Sequence, residues 1–131
     1  MTQYGSYKEE IETVRHIIER YQIYMSLLSY LRQASYYPGV TNEIHEVHTR
    51  GYEHYLNNQI YKQTMIEQRV RQIDSSFKMI GPEYAQIIRK EFLEEDCGWW
   101  MDYYGRSTYY RHKKKAVKAF LAAVDELVLL G

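Results

Sequence analysis

The sequence predicts an all-α protein, and three observations carry that prediction. Apolar residues recur at helical spacing over two long stretches of the 131-residue chain. Only two prolines and seven glycines punctuate it, too few for many short strands. The clearest breaks, Tyr37-Pro38-Gly39 and Gly81-Pro82, fall between periodic stretches rather than within them. The expected architecture is a long N-terminal antiparallel helical hairpin, residues 1–80, followed by a C-terminal helix-turn-helix, residues 81–131, in one compact chain.

The first helix is expected over residues 7–35. Ile11, Val14, Ile18, Tyr21, Met25 and Leu28 form a heptad-like stripe there, and Glu9, Glu10 and Glu12 complement the dipole in its first turns. Pro38 and Gly39 end it. Thr41 or Asn42 can cap a second helix running to about Lys78, with the regular stripe Ile66, Val70, Ile73, Phe77 and Ile80. Its first half, Ile44 to Ile60, is less regular, and Gly51 loosens it. Two stripes joined by a short turn read as a hairpin whose apolar sides are core.

Pro82 suits the first position of a third helix, which would run to Asp96 and bury Tyr84, Ile87, Ile88 and Phe92. Cys97-Gly98 ends it. A short helix in WWMDYY, a turn at Gly105-Arg106 and a last helix over residues 107–129 complete the prediction. No internal repeat interrupts this order.

Bulk composition narrows the function without naming it. Seventeen Lys and Arg balance seventeen Asp and Glu, so the whole molecule has no net attraction to nucleic acid. Any such binding must come from how charge is arranged. A lone cysteine, Cys97, excludes an internal disulfide framework and fits a reducing compartment. The N-terminus lacks a secretory pattern and no apolar run approaches a membrane span, so a cytoplasmic location without membrane partners is expected.

The arrangement that draws attention is YYGRSTYYRHKKKAVKAF, residues 103–120. On a helical wheel, Tyr109, Ala116 and Phe120 share one narrow face. Ser107, Arg111, Lys114, Lys115 and Lys118 lie opposite, with Tyr110 at the edge. One helix thus combines a core face with a concentrated cationic face near its N-terminal end. That pattern suits major-groove docking, in which the helix start meets bases and flanking cations meet phosphates.

The offsets Ser107-Thr108-Tyr109, then Ala116, then Phe120 resemble those of the recognition helix in sigma-factor region 4. The segment WWMDYYGRSTYYRHKKKAVKAFL is also similar to the C-terminal ends of phage late-transcription regulators of the ArpU type. The resemblance covers roughly residues 82–122. It implies transcriptional control, with DNA binding through Ser107, Tyr110, Arg111, Lys114 and Lys115 and RNA polymerase as a further partner; Arg106, Thr108 and Lys118 complete the expected DNA-binding set. Trp99-Trp100 and Tyr103-Tyr104-Gly105 depart from the family's usual helix start and turn. Lys113 stands where the family has an apolar residue.

A basic run can also be a solvated helix face. Of Trp99 and Trp100, 100° apart on a helix, one is expected in the core and the other partly exposed as a protein-partner anchor. His45 and His48, with Glu46 and His54 nearby, lack HExxH spacing and a third ligand, so no metal site is expected. Glu94-Glu95-Asp96 at a helix C-terminus opposes the dipole, which leaves partner binding open there. Cys97 with His112 is too common a pair to imply catalysis, and no phosphate loop or nucleophile elbow is present. A non-enzymatic protein without cofactors is expected. Its hairpin would support a homodimer or docking on a larger machine. The rival reading is a helical adaptor that binds protein through Tyr- and Trp-rich surfaces.

Overall fold

Apolar periodicity translates directly into helices. A computed structural model describes residues 5–34 and 50–130. Among these the protein is all-α. The long helices are α1, Tyr7–Ala34, and α2, Arg50–Ile80. They are followed by α3, Pro82–Ile88, a π-helical turn at Arg89–Leu93, a 3-10 turn at Trp99–Asp102, and α4, Arg106–Leu130. No helix among the described residues is long and apolar enough to cross a membrane. The expected turn at Pro38-Gly39, the cap at Thr41 or Asn42 and the pair His45 and His48 lie outside the described residues.

Two compact units are distinguished, Met1–Arg20 with Gln72–Gly131, and Tyr21–Arg71. The division falls inside both long helices and cuts across the boundary expected at residue 80. In the first unit the core is Val14, Ile18, Ile73, Phe77, Ala85, Ile87, Ile88, Phe92, Tyr109, Ala116, Val117, Phe120 and Leu121. Phe77 and Phe120 meet with ring centroids 5.2 Å apart, and the Arg89 guanidinium lies 4.6 Å from the Phe77 centroid. Helix α3 packs chiefly on α4. In the second unit Leu28 and Val70 are buried, whereas Ile23, Met25, Leu27, Tyr30, Tyr55, Leu56, Ile60 and Tyr61 are exposed. Met25 therefore leaves the stripe to which its spacing assigns it.

Chain breaks follow local backbone chemistry. Gly81 precedes α3 at φ 89°, ψ 164°, a conformation open essentially to glycine alone, and Pro82 then opens the helix. The single third helix expected over residues 82–96 is replaced by an α-helix that widens into the π turn. The Glu94 amide donates to the Arg89 carbonyl at 2.9 Å, and the Asp96 amide reaches back to the Lys90 carbonyl at 3.0 Å. Glu95 sits between them at φ 51°. Three successive carboxylates oppose the dipole at this end, and Lys90 answers one of them, 3.2 Å from Glu94. Tyr84, expected in the core, is only half-buried.

Gly98 turns the chain at φ 89° into the 3-10 turn, where a short helix was expected in WWMDYY. The amides of Tyr103 and Tyr104 both donate to the Trp100 carbonyl at 2.9 Å. Helix α4 starts at Arg106, one residue earlier than expected, and the Tyr109 amide donates to the Gly105 carbonyl at 2.9 Å.

Candidate functional site

The start of α4 is positioned by an aromatic array. Tyr109 is fully buried and stacks on Trp100, with centroids 4.7 Å apart and planes 7° from parallel. Trp99 meets Tyr109 and Tyr104 edge-on at 5.7 and 6.4 Å. Trp100 meets Tyr110 at 6.1 Å. Both tryptophans are half-buried: the partial exposure expected of one holds, and the full burial expected of the other is corrected. Adjacent residues in this tight turn each find a ring of α4 to pack on. The most exposed large apolar side chains here are Met101 at 67% and Tyr103 at 74%, neither of which the sequence assigns to binding.

With Tyr109, Ala116 and Phe120 all at 0% exposure, the inward face of α4 is fixed. Arg106, Ser107, Tyr110, Arg111, Lys114, Lys115 and Lys118 are exposed, and Thr108 is intermediate. Among the described residues no carboxylate pairs with Arg106, Arg111, Lys114 or Lys115. Lys118 differs: its ammonium lies 3.4 Å from Glu10 Oε1 on α1. The Lys114 ammonium sits 5.5 Å from the ring centroid of Tyr7.

Lys113, the residue at odds with an apolar pattern, is directed inward. Its ammonium is 3.4 Å from Glu91 Oε2, with the two side chains 19% and 16% exposed. The Tyr109 hydroxyl donates to the other oxygen of the same carboxylate. Burial, followed by that hydrogen bond to Glu91, raises the Tyr109 pKa well above its ordinary value. Tyr7, whose buried hydroxyl has no hydrogen-bond partner among the described residues, is pushed up to about 12, first by burial and then by Glu91 and Glu10. On the opposite edge of α4, Glu83 receives the Tyr104 hydroxyl at 3.0 Å and lies 3.6 Å from His112 Nδ1. Burial and then the Glu83 bond raise Tyr104.

Glu91, Glu10 and Tyr7 are the residues that sequence reasoning missed. Lys113 was the signal for Glu91; nothing in the spacing pointed to the other two. The remaining candidates are dispersed. Cys97 and His54 are exposed, and the described residues hold no group of three His, Cys, Asp or Glu side chains arranged for a metal ion. The fold and site thus define an all-α protein with one outward cationic helix face. No family model matches the chain, and no curated protein or solved structure is significantly similar to it.

Proposed function

We propose that the protein binds double-stranded DNA through the outward face of α4, in transcriptional control of the kind the sigma region 4 and ArpU-type resemblance implies. One observation carries the reading. Arg106, Ser107, Arg111, Lys114 and Lys115 are exposed on a helix whose inward residues are wholly buried, so these side chains are free to meet phosphate without unfolding the core. In this mechanism the first turns of α4 enter the major groove. Arg111 and Tyr110 reach base edges, and Lys114 and Lys115 hold phosphates. The 3-10 turn and α4 would act as a shortened helix-turn-helix. The two long helices would form an antiparallel hairpin whose exposed apolar side chains serve homodimerisation or docking on RNA polymerase.

Selection of bound sequences from random DNA tests this reading, and an enriched motif is the expected outcome. A mixed duplex pool should bind at low salt, weaken steeply at higher salt, and lose binding in Arg111→Ala/Lys114→Ala. Absence of binding at low salt by the fully folded protein would sink the proposal. That outcome would leave the non-enzymatic protein-binding adaptor, which the exposure of Met101 and Tyr103 favours.

A further inference from the structure

The cations of the α4 face are not equivalent. Glu10 is only 2% exposed, and Lys118 is its one ion-pair partner among the described residues, at 3.4 Å. A carboxylate so deeply placed is costly unless a cation answers it. Three residues earlier in the first turn of α1, Tyr7 lies beneath Lys114, one helical turn before Lys118. The start of α1 therefore engages two successive lysines along one edge of the basic face. Carboxylate and phosphate offer a lysine the same thing, an anionic oxygen acceptor.

We propose that Glu10 is a built-in competitor for phosphate: it occupies Lys118, so that a nucleic acid engages Arg106, Arg111, Lys114 and Lys115 and gains Lys118 only when the first turn of α1 releases it. The inference rests on the reading that α4 binds nucleic acid. It adds that α1 sets how many cations the face presents. Release strands a buried carboxylate, which holds the pair closed in the free protein. Coupling is reciprocal, so a bound polyanion that captures Lys118 weakens the seat of α1.

The test is titration of a fluorescently labelled duplex of mixed sequence at several salt concentrations, with helicity checked for each variant. Glu10→Gln should tighten binding by roughly fivefold, the scale of one added exposed ion pair. It should also steepen the log–log salt slope by about 0.9, the increment for one phosphate contact. Lys118→Ala should weaken binding only in the Glu10→Gln background. A second measurement uses the wild-type chain, so that loss of fold cannot obscure the result. In lysine-labelled protein, substoichiometric duplex should shift the Nζ resonances of Lys114 and Lys115 before that of Lys118. The proposal is overturned if Lys118→Ala weakens the wild type as much as Lys115→Ala does, or if the Lys118 resonance moves together with that of Lys115. Binding that depends on Arg111 and Lys115 but ignores Glu10→Gln overturns this inference alone. No binding by any variant, Glu10→Gln included, overturns the reading of α4 with it.

Discussion

Lys113 shows what a single residue can and cannot disclose. A lysine on the apolar side of a helix wheel signals that an acid lies inside, because a half-buried ammonium needs a counter-charge. Four acids, Glu91, Glu94, Glu95 and Asp96, occur within six positions of one another, and sequence alone cannot rank them. The fold selects Glu91, which divides its two oxygens between the Lys113 ammonium and the Tyr109 hydroxyl. Glu91→Ala would leave both groups without their partner in a poorly hydrated site. A loss of about 2–3 kcal/mol is expected, slightly below the range for fully buried pairs. The joint replacement Glu91→Leu/Lys113→Met removes both charges and should cost less than either single change. Urea denaturation of the wild type, Glu91→Leu, Lys113→Met and the double variant measures the coupling directly. Equal costs that simply add would show that the pair contributes nothing as a pair.

At the level of elements, helix existence was legible and helix endings were not. The 3.6-residue pattern located α1, α2 and α4 because burial of an apolar stripe determines where they form. Ile87, Ile88 and Phe92 keep their inward positions whether the turn beneath them closes as α or π, so no periodicity could disclose the π turn. What decides that ending is which carbonyl each amide reaches, together with a backbone reversal at Glu95. A left-handed conformation crowds the Cβ of any non-glycine residue, at a cost of roughly 1–2 kcal/mol. Glycine would relieve that strain, while its greater freedom in the unfolded chain offsets part of the gain. Glu95→Gly is therefore expected to stabilise the protein by about 0.5–1 kcal/mol, read as a higher denaturation midpoint at unchanged m-value. Removing a carboxylate from the negative end of the dipole acts in the same direction. A lower midpoint would mean that the Glu95 side chain makes a favourable contact outweighing its backbone strain.

For the whole molecule, the formal net charge is zero, so any attraction to DNA, as proposed, must arise at short range from one face rather than from the total field. That makes the salt dependence a count of the cations that make contact. The sequence named five basic side chains on or beside the outward face of α4: Arg106, Arg111, Lys114, Lys115 and Lys118. The wheel correctly separated them from Tyr109, Ala116 and Phe120. It could not see that Lys118 is engaged, because Glu10 lies more than a hundred positions away in sequence and only tertiary packing brings it near. On duplex of mixed sequence, where Arg111 meets phosphate rather than a chosen base edge, the four cations without a carboxylate partner give, at about 0.9 each, an expected log–log slope of about −3.6, against about −4.5 if all five contributed. Between 0.05 and 0.2 M salt, approximate test conditions, that slope corresponds to a loss of affinity of about 150-fold. Alanine at Arg106, Arg111, Lys114 or Lys115 should each flatten the slope by about 0.9, and the same change at Lys118 should leave it unaltered. Fluorescence anisotropy across a salt series measures all five variants on one scale. A wild-type slope near zero would place the attraction elsewhere than in phosphate contacts, and would leave the cations of α4 as a solvated face.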